Sequence, residues 1–159
     1  MNFLNSKSHI LNSADKNGSI LMDVLVGFAI IALLATISIP YLKKYQPNLK
    51  LNSTARNLTS DLRYAQQLTV SEQVVHKVVF DLNNDNYQIL RIGTSTTTVK
   101  TVAFEEEVNF QQITGLSNDQ VVFNSYGGVS ESGQVVLINT NNNTATINIK
   151  PSGYIELLL

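Results

Sequence analysis

The residue best placed for chemistry is Asp23. From Ile20 to Ile39 every other position is apolar or small, reading ILMDVLVGFAIIALLATISI. A carboxylate inside such a run is costly in lipid unless it is paired or lies near an interface, so its available chemistry is ion pairing. Other candidate groups are poorer. Glu105-Glu106-Glu107 offers oxygen ligands of the kind calcium takes, but three consecutive acids read as a solvated turn. Asp81, Asn83 and Asp85 alternate as in a calcium loop, yet the glycine and distal glutamate of an EF-hand are missing, and a hairpin turn is expected. His9 and His76 are isolated from one another and from any ligand set. The chain has no cysteine, which excludes a disulfide framework and thiolate metal sites. No nucleophile, base and orienting acid stand together, and no Gly-rich phosphate loop is present. The expectation is a protein that is not an enzyme and carries neither cofactor nor metal.

The element that positions Asp23 is a helix. A helical run of about twenty residues at 1.5 Å each spans about 30 Å, the thickness of a bilayer's hydrocarbon core. The polar stretch before it, residues 1–18, has no apolar core of its own, so it is not an ordinary secretory signal. Lys7 and Lys16, offset by Asp15, precede the span and Lys43 and Lys44 follow it, so flanking charge is nearly balanced between the two sides. Pro40 closes the apolar run and Pro47 follows; a proline removes one backbone donor and kinks a helix, so a kink is expected at Pro40.

Beyond Pro47, Leu51, Ala55, Leu58, Leu62, Ala65 and Leu68 recur at spacings of three and four. That pattern marks one apolar helical face, with Arg56, Asp61 and Arg63 expected toward solvent. The helix is therefore expected over residues 19–72, with its transmembrane part at about 20–40. From Val74 the period shifts toward two and β-branched residues accumulate. Strands are expected at Val74–Leu82, Tyr87–Ile92, Thr97–Phe104, Val121–Phe123, Gln134–Asn139, Thr144–Ile149 and Tyr154–Leu158. Asn83-Asn84-Asp85-Asn86, Gly127-Gly128 and Asn141-Asn142-Asn143 supply the turns between them. Short connections favour antiparallel pairing, so residues 73–159 form a β-rich head. The fold class is α+β: a long helix whose second half covers a small antiparallel sheet.

Composition agrees with an anchored domain of 159 residues. Hydrophobic residues make up 43% and charged residues only 14%, below the roughly 25% of soluble domains. The net charge of -1 implies no bulk attraction to nucleic acid.

Gly18-Ser19 followed by LMDVLVGFAIIALLATISIP resembles a class III prepilin, the precursor of a type IV pilin or type II secretion pseudopilin. LNSTARNLTSDLRYAQQLTVSEQ, VVHKVVFDLNNDNYQI and the tail VVFNSYGGVSESGQVVLINTNNNTATINIKPSGYIEL are similar to the GspH/FimT-like minor pseudopilins. The resemblance implies a pilin-like fold and a leader, residues 1–18, cut by a prepilin peptidase between Gly18 and Ser19. Ser19 would then be N-methylated. It further implies that the Asp23 carboxylate meets the Ser19 amine of a neighbouring subunit. Implied partners are the peptidase, other pilin or pseudopilin subunits through the N-terminal helix, the inner-membrane assembly platform, and membrane lipid before assembly. The implied location is the inner membrane, single-pass, with the head on the periplasmic or extracytoplasmic side, and later the filament. Two positions depart from the family pattern: Ser19 stands for the usual phenylalanine and Asp23 for the usual glutamate. Some relatives bind DNA during uptake, and Lys77, Arg91, Lys100 and Lys150 are the cations that could serve such a partner here, though they form no stripe in the sequence. A single-pass protein that never polymerises is the remaining alternative.

Overall fold

The computed structural model describes residues 14–159. One helix, α1 (Ala14–Glu72), precedes eight strands: β1 (Val75–Asp81), β2 (Asn86–Ile92), β3 (Thr96–Ala103), β4 (Val108–Thr114), β5 (Gln120–Phe123), β6 (Gly133–Asn139), β7 (Thr144–Ile149) and β8 (Ile155–Leu158). The helix starts ahead of Ser19, and its assignment continues through Pro40 and Pro47, so neither proline ends it. Residues 1–13, including His9 and most of the expected leader, lie outside the described residues. The described residues divide into two units, one up to Lys44 and one from Tyr45 to Leu159.

In the second unit, α1 carries the apolar face its spacing predicts. Leu51, Ala55, Leu58, Leu62 and Ala65 are fully buried, while Arg56 and Arg63 are exposed. The strands form two antiparallel sheets of four, in the orders β3-β2-β1-β5 and β4-β6-β7-β8. A sheet needs cover on one face, and the helix supplies it for a core that draws on both sheets, including Val78, Ile89, Phe123, Leu137 and Ile147. Aromatic contacts join the sheets: Phe110 of β4 lies 5.7 Å from Phe80 of β1 and 4.5 Å from Phe104, measured between ring centroids.

The second sheet brings in β4, a strand the alternation pattern does not reveal. Its partner register shifts between Phe110 and Gln112, so the inward positions change parity in mid-strand and the period of two disappears. The Asp81-to-Asn86 stretch is the expected hairpin turn. Asp81 Oδ1 accepts the backbone N–H groups of Asn83 and Asn84 at 3.0 and 3.2 Å, and its Oδ2 accepts the Asn84 side-chain amide at 2.7 Å. Those bonds hold the Asp81 carboxyl below its ordinary range, the Asn84 side chain contributing most. Among the described residues no group of three or more His, Cys, Asp or Glu is placed to hold a metal ion.

Candidate functional site

Two regions carry the polar chemistry, and each belongs to one unit. In the first, the helix from Gly18 onward presents its apolar side chains outward. Ile20, Leu21, Met22, Val24 and Leu25 around Asp23, and Phe28, Ile31, Leu34, Ile37 and Leu42 beyond it, are all more than half exposed. Gly18, Ser19, Asp23 and Pro40 are exposed as well. Asp23 has no ion pair or side-chain hydrogen bond among the described residues, and apolar side chains surround it on the helix. This helix is long and apolar enough to cross a membrane, and none of its most apolar 18-residue window is buried among the described residues.

The second region fixes the head to its stretch of α1. Asp61 does not face solvent as its place beside Arg56 and Arg63 suggests. The two sheets wrap the helix over a wide arc, which takes in Thr54, Thr59, Asp61 and Thr69 as well as the apolar face. Thr59 and Thr69 satisfy their hydroxyls on the carbonyls four residues back, at 2.8 and 3.0 Å. Asp61 needs stronger partners. Lys100 Nζ of β3 donates to both carboxylate oxygens at 2.7 Å, and the Tyr87 hydroxyl of β2 donates to Oδ2 at 2.6 Å. One carboxylate thus ties two neighbouring strands to the helix.

Burial, with the Asp61 hydrogen bond and charge adding to it, pushes the Tyr87 phenol far above its ordinary 10.0. A folded-state value raised in this way favours the neutral phenol. The stability it contributes is complete below about pH 10 and is lost as pH rises above that toward the folded value. Tyrosinate absorbance against pH is therefore expected to show one of the six tyrosines ionising only as the head unfolds, and Tyr87→Phe should remove that step. A Tyr87→Phe curve that instead lost an early step would contradict the assignment.

At the far end of the helix Gln66 closes two loops. Its Nε2 donates to the carbonyls of Gly127 at 2.6 Å and Gly153 at 3.1 Å, and Arg63 donates to the Ile155 carbonyl at 3.0 Å. Both glycines hold positive φ, +82° and +80°, and are buried. Near Pro47, which is itself buried, Asn48 Oδ1 accepts amides from Asn139 and Asn143 at 2.7 Å each and so holds the β6–β7 turn. Local pattern marks Gly127 and the asparagines as turn residues. Nothing local marks their partners, which are 61 to 95 residues away.

The four cations considered for DNA are each engaged within the head. Lys100 pairs with Asp61, Arg91 with Glu72 at 2.7 Å, Lys150 with Glu156 at 3.4 Å, and Lys77 donates to Gln120 at 3.2 Å.

An apolar helix joined to a head of antiparallel sheets packed on its second half defines a pilin-type subunit. The chain belongs to the GspH family: the family model described as type II transport protein GspH matches residues 54–153, more than half of the chain. Solved structures share the fold. The minor pseudopilin EpsH from the type 2 secretion system of Vibrio cholerae superposes with a TM-score of 0.60 at 12% identity, covering 69% of this chain and 96% of that one. The type IV minor pilin FimU of Pseudomonas aeruginosa gives 0.59 at 14% identity, covering 72% and 92%. At such identities the likeness is one of fold. No curated protein sequence matches the chain.

Proposed function

We propose that the chain is a minor pilin or pseudopilin precursor, cut by a prepilin peptidase between Gly18 and Ser19 and N-methylated at Ser19. The mature subunit assembles into a type II secretion pseudopilus or a type IV pilus. The observation that carries this reading is the apolar window of α1, of which none is buried among the described residues. A sleeve of that kind is unstable in water and is covered either by lipid or by other helices of the same character. The subunit therefore waits in the inner membrane, single-pass, with its head on the extracytoplasmic side, and exchanges lipid for sibling helices when the assembly platform adds it to the filament. The Asp23 carboxylate then takes the Ser19 amine of a neighbour as counter-charge, which sets the register between subunits. Pro40, lacking a backbone donor, is the bending point of the anchor. Co-expression with a prepilin peptidase tests the reading through the mass of the product, which should begin at Ser19.

A further inference from the structure

We propose that the chain is cut only in a locally unwound form, and that Gly18 and Ser19 set how often the start of α1 opens for the peptidase. This gate presupposes the processing reading and adds regulation at the same junction. α1 begins at Ala14, so the Gly18–Ser19 bond lies inside helical backbone, about one turn from the helix start. There the N–H groups of Gly18 and Ser19 bond to carbonyls four residues back. A peptide bond held in this way is a poor substrate, because a peptidase needs its backbone extended and accessible. Nothing in the fold calls for a glycine at this place. Gly18 does not take a left-handed φ, and a Cβ added to it would meet nothing within 4 Å. Alanine would fit and would hold the helix better, since glycine is second only to proline in weakening a helix interior. What Gly18 supplies is a weak turn at the scissile bond.

The apolar run that follows confines the opening to this junction. From Ile20 onward the helix is suited to hydrocarbon, where freed N–H and C=O groups find no water, so its backbone bonds hold. Gly27 meets equally open space but lies well inside that run, where unwinding is too costly. Gly18 thus stands at the edge of the segment that water can open. Ser19 stabilises the opened form. Once the chain ahead of it unwinds, Ser19 flanks a helix that starts at Ile20, and serine is among the residues preferred there. Its hydroxyl oxygen accepts the N–H of the second or third helical residue, here Leu21 or Met22. In the closed helix Ser19 is exposed and makes no side-chain hydrogen bond among the described residues, so the cap is gained only on opening. When opening and closing are fast relative to cutting, the cutting rate follows the population of the open form.

The uncut full-length chain is placed in phospholipid bilayer discs and cut by purified prepilin peptidase at limiting concentration, and amide hydrogen exchange is read on the same samples without enzyme. Asn17→Gly is expected to be cut about fivefold faster than Asn17→Ala, the ratio set by their helix-forming tendencies. Exchange at the Gly18 and Ser19 amides should change by the same factor. Ser19→Ala should be cut about fivefold more slowly than the unmodified chain, and Ser19→Asn, which also caps, should be cut at close to the unmodified rate. Cutting that stays level while exchange shifts, or shifts while exchange stays level, would overturn the gate. So would Gly18 and Ser19 amides that exchange at the unprotected rate in every variant. Ser19→Asn cut no faster than Ser19→Ala would overturn the capping role. In each of these outcomes the chain is still cut, and the processing reading stands. A chain left uncut in every form, while a known prepilin in the same discs is processed, would overturn both.

Discussion

The Gly153→Ala variant is expected to lose about 3 kcal/mol or more of head stability, a fall in Tm on the order of 10 °C. Two effects combine at this position. The backbone sits at φ +80°, where an L side chain costs roughly 1–2 kcal/mol. A Cβ there would also overlap the Gly127 carbonyl oxygen and the Gln66 amide. The carbonyl is backbone and is held by the same Gln66 that binds Gly153, so relief would have to open the clasp on α1. Gly93→Ala is the control, since its Cβ would meet the flexible end of Arg91 at 2.9 Å, which can move aside at little cost. Thermal melting of the detergent-solubilised full chain checks both. Equal Tm values for the two variants would contradict the clasp.

Replacing Asp23 by alanine should separate insertion from assembly. A carboxylate near the start of an apolar span opposes insertion by up to roughly 3 kcal/mol, so removing it leaves membrane insertion intact or improves it. Assembly should move the other way. An uncompensated amine left buried among apolar helices is worth about 2 kcal/mol or more, and incorporation into filaments should drop at least about tenfold. Asp23→Glu, which keeps the charge and adds one methylene, should assemble. Quantifying the subunit in purified filaments against the membrane pool gives both numbers from one preparation. Asp23→Ala filaments with the normal content of the subunit would sink the pairing.

Much of this architecture is legible in the residues because it rests on local periodicity. Leu51, Ala55, Leu58, Leu62 and Ala65 announce the buried face of α1, and alternation places every strand but β4 within a residue or two. β4 is hidden because its register shift breaks the alternation and because it follows a run of three glutamates, the last at φ +78°. The division into two sheets is hidden because pairing partners such as Val108 and Asn139 lie far apart in sequence. Asp61 shows the limit most clearly. Its spacing puts it beside the arginines, and only the arrival of Lys100 and Tyr87 from another part of the chain makes burial of a carboxylate stable. The same holds for Gln66, a neutral side chain whose two partners are loop carbonyls. The anchor is the reverse case. Its composition alone marks it, and its exposure along α1 agrees.

Processing of the precursor into a filament subunit leaves its mark at the N-terminus, where intact mass reads it. The full-length chain is co-expressed with an active prepilin peptidase, with a catalytically dead peptidase as control, and the purified product is weighed intact. The expected product runs from Ser19 to Leu159 with one added methyl group and forms only with the active enzyme. A product that keeps the residues before Ser19, while a known prepilin in the same cells is cut, would contradict it.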